Sequence, residues 1–221
     1  GAAHGRVRVV PPGIDRAFAP SSDEEAARVR HRFRLDAPYL LYLGTLEPRK
    51  NLVRLVEAFA RLAGGGRPEA LVLAGRPGWG LEPLDAAIAS SGVAQRVRRL
   101  GYVDREDLAP LLTAAEVLVY PSLEEGFGFP PLEAMACGTP VVAADGSSLA
   151  ENLAGAAELV PPDDVAGLAD AVARLLRDRE LCDRRRRQGF ERAARFTWER
   201  TAAETVECYR ALGRPADALT P

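Results

Sequence analysis

Tyr39-Leu40-Leu41-Tyr42-Leu43-Gly44-Thr45-Leu46-Glu47-Pro48-Arg49-Lys50-Asn51-Leu52-Val53-Arg54-Leu55-Val56 decides the fold. An unbroken apolar run, Tyr39–Leu43, predicts a parallel strand covered on both faces by helices, because a half-exposed strand would alternate polar and apolar residues. A glycine-bearing loop with two adjacent cations follows. From Asn51 to Ala63 the apolar residues Leu52, Leu55, Val56, Phe59 and Leu62 fall on one helical stripe. Strand, loop and helix in that order form the repeating unit of a parallel sheet.

Working outward, the same alternation predicts seven strands: Arg6–Val10, Tyr39–Leu43, Ala70–Ala74, Val97–Leu100, Val117–Tyr120, Val141–Ala143 and Glu158–Val160. The fold class is α/β, a Rossmann-like doubly wound parallel sheet followed by C-terminal helices. Ser22-Asp23-Glu24-Glu25 reads as a capping box opening a helix to about Arg34, and Asp104 as the cap of a helix beginning near Arg105. Asp163-Asp164 precedes another helix, with Val165, Leu168, Ala169, Val172 and Leu175 as its buried stripe; capping, rather than metal binding, is the expected role of the aspartates. Beyond the last strand the pattern is helical to Leu212, and residues 213–221 are expected to fray.

Composition narrows the chemistry. With 47% hydrophobic residues in 221 and a net charge of −2, the chain has ample core and no global attraction to nucleic acid. The run Arg184–Arg187 is expected to be a solvated helix face. Three cysteines without CxxC spacing argue against a disulfide framework and a zinc site, and point to a reducing, cytoplasmic compartment. His4 and His31 are the only histidines, which leaves little for a Ser/His or Cys/His pair. No run approaches 18 apolar residues and no signal peptide opens the chain, so at most peripheral membrane association is expected.

Ligands of open parallel sheets bind beyond the carboxyl ends of strands, where loops enter helices with free N–H groups. Gly44 to Asn51 fits a diphosphate seat: Gly44 lets the backbone approach, and Arg49 and Lys50 supply charge-assisted hydrogen bonds. The alternative is a plain turn with two exposed bases. Glu124 to Glu133 is the second such loop. Gly126, Phe127 and Gly128 expose amides, and a helix is expected after Pro130, with Glu125 in the loop and Glu133 in the first helical turn. A carboxylate at Glu133 suits a ribose diol, and one at Glu125 suits hydroxyls of a transferred group; the bland alternatives are that Glu133 complements the helix dipole and Glu125 caps. Gly75 in Gly75-Arg76-Pro77-Gly78-Trp79-Gly80, and Tyr102 and Val103 after Gly101, add candidate contacts, the last two to a nucleobase through backbone. Trp79 reads equally as a loop anchor.

Together these segments resemble the donor-binding half of a GT-B fold, family 4 retaining glycosyltransferase (glycosyl transferases group 1). Val9-Val10-Pro11-Pro12-Gly13-Ile14-Asp15 resembles that family's interdomain hinge, Gly44–Asn51 its phosphate loop, and Pro121 to Val142 its E-x7-E segment, with Glu125 and Glu133 as the glutamates. Many members carry arginine where this chain has Thr45, which leaves Arg49 and Lys50 as the cations. The resemblance implies that Arg49, Lys50 and Glu125 are catalytic. It implies that Gly44, Thr45, Gly75, Tyr102, Val103, Gly126, Phe127, Gly128 and Glu133 hold a nucleotide-diphosphate sugar, which is passed on with its anomeric configuration kept. No DxD sits in a post-strand loop, so neither metal nor other cofactor is expected.

By the same resemblance, residues 1–6 are a tag or hinge remnant, 7–196 the donor domain and 197–212 a crossover helix with Trp198, Tyr209 and Leu212 directed at an absent acceptor domain. The acceptor, a sugar or a lipid-linked one, would bind there. Gly44–Asn51 and Gly75–Trp79 look like mannosyltransferases and point to GDP-mannose, with UDP-sugars left open. A phosphorylase is disfavoured because Lys50, the only lysine, is already given to phosphate. A nucleotide-sugar epimerase of this architecture and a non-catalytic nucleotide-sugar-binding module stay open as alternatives.

Overall fold

Unbroken apolar runs become strands buried on both faces. The computed structural model describes residues 7–63 and 70–212, and their six strands are β1 (Tyr39–Leu43), β2 (Ala70–Ala74), β3 (Val97–Gly101), β4 (Val117–Tyr120), β5 (Val141–Ala144) and β6 (Glu158–Val160). They form one parallel sheet in the order β3-β2-β1-β4-β5-β6. Every residue of β1, β4 and β5 is buried, as their sequences require. The edges are polar instead. Arg98 and Arg99 on β3 face solvent, and Glu158 on β6 is held by Arg174 at 2.8 Å and Arg185 at 2.7 Å, which blunts edge pairing with another chain.

Around the sheet lie α1 (Asp23–Phe33), α2 (Leu52–Ala63), α3 (Glu82–Ser90), α4 (Arg105–Thr113), α5 (Phe129–Ala136), α6 (Ser147–Leu153), α7 (Val165–Arg177), α8 (Arg179–Ala193) and α9 (Trp198–Leu212). The expected capping box opens α1: Ser22 Oγ accepts from the Glu25 amide, and the Glu25 carboxylate accepts from the Ser22 amide at 2.8 Å. Asp164 caps α7 by accepting from the Gly167 amide at 2.8 Å, so the capping reading holds there. Asp104 does stand at the N-cap of α4, but its carboxylate accepts from Arg32 at 2.8 Å rather than from the helix. The stripe of α2 packs as its spacing demands, with Leu52, Leu55, Val56 and Phe59 buried.

Two expectations need correction. Arg6 lies outside the described residues, and Val7–Val10 form no strand; Val7 and Val9 are 73% and 79% exposed. Their neighbour is α9 rather than a sheet edge: Arg8 pairs with Glu207 at 2.7 Å and Thr201 Oγ1 donates to the Pro11 carbonyl at 2.7 Å. Pro11 and Pro12 have no N–H to extend a ladder. The arginine run on α8 is only partly solvated, because Arg185 is drawn onto Glu158 and the Gly155 carbonyl. Residues 1–6 and the tail 213–221 lie outside the described residues.

The loops after β1 and β2 are zipped together. The Gly44 amide donates to the Ala74 carbonyl at 2.9 Å, that of Leu46 to Arg76 at 3.0 Å, and that of Gly78 to Leu46 at 2.9 Å. The approach requires glycine: at Gly75, with φ 143°, a Cβ would lie 1.9 Å from the Gly44 carbonyl oxygen. Gly92 also has positive φ, 73°, but open space around it. Gly75→Ala is therefore expected to cost about 2–4 kcal/mol in urea unfolding and Gly92→Ala about 1; equal losses would show that φ, and not the close approach, matters.

Candidate functional site

Strand order reverses between β1 and β4, and the carboxyl ends of the strands at such a switch point face an open crevice. The parallel pairing of Leu40 with Val117 and of Leu41 with Leu118 makes the loops after β1 and β4 neighbours. These are the two loops singled out in the sequence, Gly44–Asn51 and Pro121–Gly128.

The β1 loop ends in a 3-10 turn, Pro48–Lys50, so Arg49 and Lys50 stand just ahead of α2 rather than in its first turn. Asn51, at φ 59°, turns the chain into α2, and its Nδ2 donates to the carbonyls of Pro121 at 3.1 Å and Pro162 at 2.8 Å. Asn51 thereby ties the first loop to the second and to the segment after β6. The main chains also join, since the Leu123 amide donates to the Arg49 carbonyl at 2.9 Å.

Both cations turn toward the second loop. Lys50 Nζ donates to Glu125 Oε1 at 2.5 Å and to Tyr120 Oη at 3.2 Å, while Tyr120 Oη donates to the same carboxylate at 3.0 Å. Arg49 Nη1 reaches the Glu124 carbonyl at 2.5 Å and Glu125 Oε2 at 3.3 Å, and its Nη2 reaches Glu47 at 2.7 Å. Lys50 and Glu125 are largely withdrawn from water, with side chains 8% and 10% exposed, whereas Arg49 is 42% exposed. Burial would raise the Glu125 carboxyl, but hydrogen bonds from Lys50 and other donors outweigh it and hold the group below the usual carboxylate range. The Tyr120 phenol is pushed up by burial and stays protonated.

The main chain of Glu125 is bracketed by the first turn of α6. Ser147 Oγ accepts from its amide at 3.2 Å, and Ser148 Oγ donates to its carbonyl at 2.9 Å. Ser147 sits at φ 51°, a left-handed conformation unusual for serine. Gly126 has nothing near its missing Cβ, while Gly128, at φ 90°, lies against Leu149 and is the N-cap of α5. Phe127 stacks edge-on to Phe196 at 5.5 Å and against Phe129 at 4.8 Å.

Glu133 stands one turn deeper in its helix than expected. The fifth helix begins at Phe129, so Glu133 lies in its second turn, and Pro130 and Pro131 deprive the first turn of two N–H donors that an anion could use. The Glu133 carboxylate makes no hydrogen bond or salt bridge among the described residues, and the structure does not bring it to the two cations. Burial pushes its carboxyl up to about 7, opposed only by the positive charge of Arg105. Arg105 itself is paired with Asp15. Gly75 is spent on the close approach to Gly44, and the Val103 side chain is buried. Thr45 is exposed and its carbonyl accepts from Tyr42 Oη at 3.0 Å. Tyr102 is 60% exposed with the Arg76 guanidinium 4.5 Å above its ring. Trp79, 67% exposed, is no anchor.

The pattern for the family described as Glycosyl transferases group 1 matches residues 23–192. The chain belongs to this glycosyl transferases group 1 family. It is 36% identical over 197 residues to O-antigen chain mannosyltransferase B of Escherichia coli, covering 88% of this chain and 52% of that protein. It is 38% identical over 230 residues to D-inositol 3-phosphate glycosyltransferase of Geodermatophilus obscurus, covering 100% of this chain and 50% of that protein. The chain thus spans about half the length of the curated relatives it matches. Sucrose-phosphate synthase of Thermosynechococcus elongatus superposes with a TM-score of 0.80 at 33% identity, over 93% of this chain and 52% of that one. Anabaena HepE, solved with UDP-glucose, superposes at 0.79 with 22% identity over 90% of this chain and 55% of that one, a likeness of fold. The sheet is accordingly one Rossmann-like half of a GT-B fold.

Within this glycosyl transferase fold the sequence reading missed Tyr120, Asn51, Ser147 and Ser148. Tyr120 closes a strand and Asn51 directly follows the cations, so position alone could have flagged both. The two serines carry no local signal, because their partner is 22 residues away or more. No helix among the described residues is long and apolar enough to cross a membrane.

The raised Glu133 carboxyl makes stability pH-dependent. Between its ordinary value of 4.5 and about 7 the folded chain keeps a proton that the unfolded chain has lost, so stability falls as pH rises through that window. Glu133→Gln is expected to gain on the parent by roughly 1–3 kcal/mol between pH 5 and pH 8 in denaturant titrations. A difference that stays constant with pH would show that Glu133 ionises normally.

Proposed function

We propose that this chain is the donor-binding half of a glycosyltransferase, holding a nucleotide-diphosphate sugar for transfer with retained anomeric configuration. The reading rests on one observation: Arg49 and Lys50 meet the Glu124–Gly128 loop at the switch point of a parallel sheet. Two fixed cations there can stabilise the charge that develops on a departing diphosphate. In that role they serve without a metal ion. The glycine-bearing turn would approach the phosphates, Glu125 would accept from hydroxyls of the sugar and Glu133 from those of the ribose, and the Gly101–Val103 backbone would contact the base.

Residues 7–196 would form the donor domain, and 197–212 a crossover helix. Trp198, Tyr209 and Leu212 on α9 are 53%, 70% and 82% exposed, and we assign them to packing on an acceptor-binding domain outside this chain. That domain would bind a sugar or lipid-linked acceptor at the cytoplasmic side. GDP-mannose is the favoured donor, supported by the 36% identity to a mannosyltransferase.

Calorimetry with GDP, UDP, ADP and dTDP and their sugars, with and without chelator, tests this reading. At least one donor is expected to bind regardless of chelator. Arg49→Ala, chosen because its side chain is exposed enough to remove without harming the core, is expected to weaken that binding about 10- to 150-fold, the worth of one charged hydrogen bond. Unchanged affinity contradicts the diphosphate seat. For the ribose, Glu133→Gln is expected to weaken the ribonucleotide more than its 2′,3′-dideoxy analogue, and parent affinity is expected to rise from pH 6 to pH 8 as the carboxylate ionises. Equal losses for both nucleotides remove Glu133 from the ribose.

A further inference from the structure

The diphosphate seat is already neutral before any ligand arrives. Arg49 and Lys50 face Glu47 and Glu125, and three ion pairs of 3.3 Å or less join all four groups. A diphosphate therefore meets no free pair of cations. To enter it must draw Lys50 and Arg49 away from Glu125. That would leave a carboxylate only 10% exposed with the Tyr120 hydroxyl but no countercharge, and a buried, unpaired charge is costly.

The cost depends on what else the ligand carries. A sugar on the diphosphate brings hydroxyl groups next to the phosphates, which can donate to the displaced carboxylate; a bare nucleoside diphosphate has only those of its ribose, which are assigned to Glu133. The fold permits such an exchange by the side chain alone. Ser147 and Ser148 pin the Glu125 main chain from both sides, and the next residue, Gly126, has open space around it. The backbone stays, and the carboxylate can turn.

Resting on the donor-site reading above, we infer that Glu125 is the specificity-determining residue that separates the sugar-bearing donor from the spent nucleoside diphosphate. It turns to the hydroxyls of the sugar when the donor binds and returns to Lys50 and Arg49 once the sugar has gone. The returning carboxylate competes with the product for the same donors and so promotes its release. Glu125 thereby makes the seat weakest for the one ligand that must leave.

The test compares affinities by calorimetry, using this chain with GDP against GDP-mannose and UDP against UDP-glucose. For whichever pair binds, the parent is expected to favour the sugar-bearing member by about tenfold or more, the scale of one charged hydrogen bond. This first measurement needs no variant. Glu125→Gln is then expected to bind the bare diphosphate at least about tenfold tighter than the parent and to lose the preference for the sugar. Lys50, the only lysine, gives an independent readout, since its acylation, followed by mass spectrometry, is expected to be several-fold faster in Glu125→Gln. Equal parent affinities for the two members, or a preference unchanged in Glu125→Gln, overturn the inference while leaving the donor site standing. Binding by the parent of none of these four ligands, nor of ADP, dTDP or their sugars, overturns the donor-site reading and the inference together.

Discussion

The parallel pairing of β1 with β4 governs the upper surface of the molecule. Strands on one side of that pair run outward as β2 and β3, and those on the other as β5 and β6, so their loops diverge from a single line. Along it, the Gly44–Asn51 and Pro121–Gly128 loops are forced together at full strand ends, and little else in the sheet competes for the space. Hydrogen bonds from Asn51 to the Pro121 and Pro162 carbonyls then lock the first loop to the second and to the segment leaving β6.

Electrostatics at this junction follow from burial. Lys50 is withdrawn among Tyr120, Asn51 and Glu125, and a withdrawn ammonium persists only with partners that repay its lost hydration. Glu125 supplies the charge and Tyr120 the oxygen, and the stacking of Tyr42 on Tyr120, with centroids 5.7 Å apart, holds that phenol in place. Charged chemistry is therefore supported by an aromatic layer belonging to the sheet itself. Arg49, nearer to water, keeps the freedom to change partners. Glu133 differs, for its surroundings offer burial but no hydrogen-bond donor.

Most of the fold was legible because its signals are local. Unbroken runs such as Tyr39–Leu43 and Val117–Tyr120 can only be strands covered on both faces, and the Ser22–Glu25 capping box names its own helix start. Val7–Val10 misled because β-branched composition says nothing about whether a neighbouring edge exists; α9 took that place. Within the site, the cations and glycines could be read, since loops after buried strands have few other reasons to combine them. Gly75 could be read as a post-strand glycine but not as a required one, for its conflict is with Gly44, 31 positions away.

The sequence by itself determined six of the strands, most of the helices, the parallel class and the candidates Arg49, Lys50 and Glu125 in the post-strand loops with Glu133 in the helix beyond, because periodicity and capping are properties of neighbouring residues. Tertiary structure alone decided that Glu125 pairs with both cations while Glu133 stands apart, that Ser147 and Ser148 grip the Glu125 backbone, and that Tyr120 completes the buried triangle. Those relations join residues on different strands and loops. Their distances are set by sheet order and by the energy of burying charge, neither of which is written in local spacing.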